Sequence, residues 1–136
     1  SGIGNYRKEV FEDFSFDEQL RGYALGEDKL FSYPIFEKYP TSLFVDPSIM
    51  CEHHHADSGR PKDKDWVDMK ITYTYYLWVT LFKKRGLCAK CSYVWANIGD
   101  LIIVFLSVLF RQHSLNFYLW HVAGYWDLIW KKNTNV

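Results

Sequence analysis

The chain has 136 residues, room for one compact unit or for a small domain with one or two membrane helices. Its 16 Lys and Arg balance 16 Asp and Glu, and a net charge of zero argues against a nucleic-acid binder, an acidic scaffold or a long solvated tail. Aromatic residues make up 19%, with 10 Phe, 10 Tyr and 6 Trp. Rings at that density belong in a core, in a partner contact or at a membrane–water boundary, which argues against disorder for most of the chain.

Residues 1–65 read as a polar arm and loop studded with aromatics. The opening Ser1-Gly2-Ile3-Gly4 lacks an initiator Met and reads as a processed start, although a tag scar has the same appearance. Ser15-Phe16-Asp17-Glu18 matches a capping box, predicting a short helix to Leu25 that Gly26 ends. Pro34, Pro40 and Pro47 then punctuate an aromatic stretch. Proline lacks an amide donor and restrains the residue before it, so extended or turned chain is expected there. Residues 51–70, from His53-His54-His55 to Lys62-Asp63-Lys64-Asp65, carry turn formers and alternating charge and read as a solvated loop.

Residues 66–136 read as a membrane-associated helical region. Ile71–Phe82 is uncharged and closes on Lys83-Lys84-Arg85; its threonines alternate as in a strand, but a helix is the favoured reading. Ser92–Phe110 is the strongest segment, with a hydropathy above the usual cut-off for a spanning helix. Tyr93–Phe110 would cover roughly 27 Å as a helix, close to the hydrocarbon thickness. Tyr93 and Trp95 stand at one end, and Phe117, Tyr118 and Trp120 follow the other. Within this run Asn97, Asp100, Val104, Ser107 and Arg111 share one helical face, while Ile98, Leu101, Ile102, Phe105 and Leu109 lie away from it. Such a stripe suits a helix packed against partner helices, since polar groups there are satisfied by neighbours. The competing reading is the buried core helix of a soluble domain, which Asn97 and Asp100 favour. Residues 114–130 suit an interfacial helix. Lys83, Lys84, Arg85 and Lys90 precede the main helix and Arg111 follows it, which places the preceding side in the cytoplasm or matrix by the positive-inside tendency.

The fold expected is therefore mainly α: an extended N-terminal arm, one transmembrane helix at about 92–110, and flanking aromatic interfacial helices. Chemistry is sparse. Cys88-Ala89-Lys90-Cys91 offers two thiolates and Cys51 with His54 a second pair, a donor set suited to tetrahedral zinc; a solvated His run with two half-buried cysteines is the plainer account. Three cysteines form no disulfide framework, and the strand–helix setting of a redox Cys-x-x-Cys is missing. His113 and His121, eight apart on nearly one helix face, suggest haem ligation or, more ordinarily, interface hydrogen bonds. No phosphate loop, nucleophile elbow or His-Glu-x-x-His motif occurs. Asp100 suggests a proton relay or a polar contact to a partner subunit, the second being favoured.

The chain's general character is similar to accessory subunits of mitochondrial respiratory complexes, in its processed start, aromatic arm, short membrane helix and lack of catalytic signature. The similarity is of type and covers no alignable motif. It implies a non-catalytic supernumerary subunit of a respiratory-chain or ATP synthase complex in the mitochondrial inner membrane. Its partners would be other subunits and the lipid bilayer, with no cofactor and no nucleic acid. The alternative is a soluble zinc-stabilised binding module using Cys51, His54, Cys88 and Cys91.

Overall fold

Helix is the regular structure of this chain: the described residues form five α-helices and one 3-10 turn, and none of them lies in a strand. The computed structural model describes residues 5–20, 22–50, 52 and 61–134, the last four by their backbone. Two units emerge, residues 1–60 and residues 61–136.

In the first unit a single turn, α1 (Val10–Asp13), precedes α2 (Glu27–Lys38). The helix expected from the Ser15 capping box does not form. The Asp17 carboxylate instead accepts the Gln19 amide at 2.9 Å, a local turn that competes with helix. Gly22 and Ala24 then take left-handed φ values of 69° and 47°, which a right-handed helix cannot propagate through. The proline segment also departs from expectation, because Pro34 lies inside α2. Its ring removes one helical amide, but Leu30, Phe31 and Ile35 on either side of it are buried and hold the turn. Phe31 is the centre of that packing. The Phe16 ring stacks on it at 4.2 Å, the Phe11 ring at 5.4 Å, and Tyr6 meets it edge-on at 4.8 Å. The helix ends at Tyr39, before Pro40, where a pre-proline residue is pushed out of the helical region. Lys38 and the Tyr39 hydroxyl both donate to Asp13, at 2.7 and 3.1 Å. These bonds, that of Lys38 foremost, hold the Asp13 carboxyl below its ordinary range. Residues 40–50 carry neither helix nor strand.

The second unit begins earlier than the charge pattern suggests. Lys62-Asp63-Lys64-Asp65 opens α3 (Asp63–Leu81) rather than ending a loop. Acidic side chains in a first helical turn face the positive end of the helix dipole, and Lys64 pairs with Asp68 one turn on. The uncharged stretch from Ile71 is therefore helical, with Val67 and Ile71 buried four residues apart. A 3-10 turn, Lys83–Arg85, leads into α4 (Leu87–Leu109), which starts five residues before the expected Ser92. Arg111 closes it in a left-handed conformation, φ 58°. The amides of Arg111 and Gln112 then donate back to Val108 and Ser107 at 2.9 and 2.8 Å, satisfying carbonyls that the helix end leaves open. The last helix, α5 (Leu115–Thr134), is continuous.

The side-chain pairs set the directions. Trp78 stacks on Tyr93 at 4.6 Å while Lys70 meets Asp100, so α3 and α4 are antiparallel. Phe105 faces Tyr118 at 5.6 Å while Asp100 meets Tyr125, so α5 turns back along α4. Alongside α3, Trp66 stacks on Phe117 at 6.4 Å. Gly124 permits the close approach of α5 to α3: a Cβ there would stand 2.6 Å from Ile71 Cδ1.

Replacing Phe31 by Ala removes the ring on which three others pack, a loss of about 3–5 kcal/mol for a core Phe. Hydrogen exchange on the full chain should show the α2 amides losing protection. Phe44→Ala, at a side chain that is 84% exposed, should leave them protected.

Candidate functional site

The polar stripe of α4 has a definite orientation. Val104 is buried, Asn97, Asp100 and Ser107 are half-buried, and Arg111 is exposed beyond the helix end. Asn97 donates to the Tyr93 carbonyl and Ser107 to the Val104 carbonyl, both at 2.7 Å. Each thus satisfies itself on its own helix. Of the stripe, Asp100 is the residue whose side chain meets α3 and α5 of the same chain. Ile98, Ile102 and Leu109 point away from the stripe and are exposed.

Asp100 is the hub. Its Oδ1 accepts from Lys70 Nζ on α3, and its Oδ2 accepts from the Tyr125 hydroxyl on α5 at 3.0 Å. The Lys70 ammonium also lies 5.4 Å from the centre of the Trp66 ring, a cation–π placement. His121 of α5 completes the group. It is fully buried, its Nδ1–H donates to the Phe117 carbonyl at 2.8 Å, and its Nε2 stands 4.0 Å from Asp100 Oδ2 without a hydrogen bond. With the hydrogen on Nδ1, a neutral ring presents a lone pair toward the carboxylate, and a protonated ring presents an N–H. The cluster can pin three helices together.

Lys70 and Tyr125 carry as much of this arrangement as Asp100, yet nothing local marks them in the sequence. Their role depends on the register between helices, which only the assembled unit defines. His121 is legible as a candidate, though for a different reason. The Phe117 ring lies between it and His113, 4.2 Å from the His113 imidazole and 4.7 Å from that of His121.

Of the zinc candidates, Cys88 and Cys91 lie in the opening turns of α4, three residues apart and exposed. They sit on a helix rather than on a tight knuckle. Cys51 and His54 fall outside the described residues. Among the described residues no three His, Cys, Asp or Glu side chains converge as a metal site would require. No protein-family model, curated protein or solved structure matches the chain.

The Asp100–Lys70 pair predicts a coupled response. Their side chains are 22% and 26% exposed, so removing either partner strands a partly desolvated charge, at about 2–3 kcal/mol. Asp100→Leu and Lys70→Met should each destabilise the unit, and the double variant should fall short of their sum by about 1 kcal/mol or more. Denaturant unfolding in detergent, followed by helical circular dichroism, reads the cycle. Strict additivity would mean that the pair does not hold the helices together.

Proposed function

We propose that this chain is a non-catalytic accessory subunit anchored in a membrane by α4. One observation carries the reading. α4 is 23 residues long, about 35 Å by helical rise, and only 6% of its apolar window is buried within the chain. A core helix of a soluble domain would bury most of that window. The single charged side chain deep in this helix, Asp100, lies on the side that α3 and α5 cover. The exposed remainder of the helix, with Ile98, Ile102, Ile103 and Leu109, presents an apolar surface that a bilayer accommodates and water does not.

In its specific form the proposal places the subunit in an energy-converting complex of the mitochondrial inner membrane, of respiratory-chain or ATP synthase type. Similarity of type to accessory subunits supports this step: an aromatic N-terminal region, one membrane helix and no catalytic motif. Partner subunits would take the surface of residues 1–60 and part of the outer face of α4 and α5. The zinc-stabilised soluble module is the competing reading, and the outward exposure of α4 argues against the buried core helix that it requires.

Carbonate extraction of membranes carrying the native chain tests the proposal. The chain should remain in the pellet, and Ile103→Lys should weaken its insertion by about 2.5–3.5 kcal/mol, the cost of a cation at the middle of a spanning helix. Release of the native chain into the supernatant, with about one zinc per chain, would replace the anchored subunit by the cysteine–histidine module.

A further inference from the structure

Neutrality of the whole chain conceals a partition. Residues 61–136 carry ten Lys and Arg against five Asp and Glu, whereas residues 1–60 carry six against eleven. Within the helical unit the imbalance is again uneven. No carboxylate occurs from Met69 to Gly99, a stretch that includes Lys83, Lys84, Arg85 and Lys90. These four are exposed and surround the turn from α3 into α4, so they occupy one end of the unit. Because α5 runs antiparallel to α4, its C-terminal residues Lys131 and Lys132 arrive at that same end. The other end mixes signs: Lys62, Asp63, Lys64, Asp65, Asp68 and Arg111.

The aromatic residues fall in register with this charge. Asp100 lies beside Tyr125, and the antiparallel run of the two helices brings Trp130 to the level of Trp95. Both indoles are exposed, and Trp126 is exposed about one turn deeper. Tryptophan at this depth and cations immediately outside it match the two layers of a bilayer surface: amphipathic rings at the carbonyl level, cations among the phosphates.

We infer that the basic end of the helical unit, built from Lys83, Lys84, Arg85 and Lys90, is a docking surface for the phosphate headgroups of anionic phospholipids. The inference rests on α4 spanning the membrane. The basic turn immediately precedes α4, which puts these side chains at headgroup level where the helix enters the hydrocarbon. The sequence from Met69 to Gly99 contributes cations and no carboxylate to this end, and the indole layer beneath selects a lipid surface over a soluble phosphate. Anionic lipid at this end also orients the chain, with the Lys83–Arg85 turn on the more negatively charged leaflet.

The test is the lipid selectivity of the full chain reconstituted in phosphatidylcholine vesicles, read by electron paramagnetic resonance of spin-labelled probe lipids. The motionally restricted fraction of labelled phosphatidylglycerol should exceed that of labelled phosphatidylcholine by about twofold or more at low salt, and the excess should shrink in 1 M NaCl, where the screening length is about 3 Å. The variant K83Q/K84Q/R85Q should lose the excess, and K83R/K84R should keep it. Equal restricted fractions for the two lipids in the native chain would overturn the inference while leaving the membrane reading intact, and so would a selectivity indifferent to the triple substitution. A native chain that restricts neither lipid would overturn the membrane reading and this inference with it.

Discussion

A carboxylate in the middle of an apolar helix is the constraint on which this structure turns. Asp100 lies about 20 Å along α4 from its first residue, at 1.5 Å per residue. In a low-dielectric setting such a group must find a cation and hydrogen-bond donors, because nothing else there compensates for its lost hydration. Lys70 supplies the charge and Tyr125 a donor, one from each neighbouring helix. Meeting both requirements fixes which side of α4 its neighbours cover. It also fixes their registers and, by exclusion, which side of α4 remains outside.

That geometry separates what was legible in the residues from what was not. The apolar run of α4 and the stripe through Asn97, Asp100 and Ser107 belong to one element, so helical spacing alone reveals them. Lys70 and Tyr125 belong to other elements, 30 and 25 residues away from Asp100, and no local pattern pairs them with it. The start of α4 was hidden by Cys88 and Cys91, whose spacing suits a metal knuckle and an opening helical turn equally well. In the first unit, two sound local signals gave way to packing. The capping box at Ser15 and the break at Pro34 describe what isolated segments prefer. Phe31 instead gathers Tyr6, Phe11 and Phe16, residues spread over a long stretch of chain, and its own burial beneath those rings outweighs a lost amide bond in α2. The arm and its Cys51 and His54 lie partly outside the described residues, so the zinc alternative keeps only half of its donors in view.

Charge shows the same contrast between totals and placement. A neutral chain is a correct argument against phosphate-backbone binding as a whole-molecule property. It says nothing about an end of one unit where cations collect without carboxylates. The antiparallel course of α4 and α5 brings the C-terminal end of α5 back toward the end of the unit that holds Lys83, Lys84, Arg85 and Lys90.

The helical unit has a small interior: Val67, Ile71, Val104 and His121 are its buried residues among those described. Area burial on that scale stabilises three helices weakly in water, and the exposed apolar faces of α4 and α5 would favour association with other surfaces. In lipid the balance changes. Apolar side chains turned outward no longer carry a penalty, and the hydrophobic drive that would pull helices together disappears as well. What then holds α3 and α5 on α4 is direct polar contact and close approach, which are the two features this unit possesses in the Asp100 cluster and in the contact of Gly124 with Ile71. A unit stabilised in that way depends on its surroundings to cover the rest of its surface. Under the proposed accessory role, lipid and partner chains would supply the faces that it leaves open.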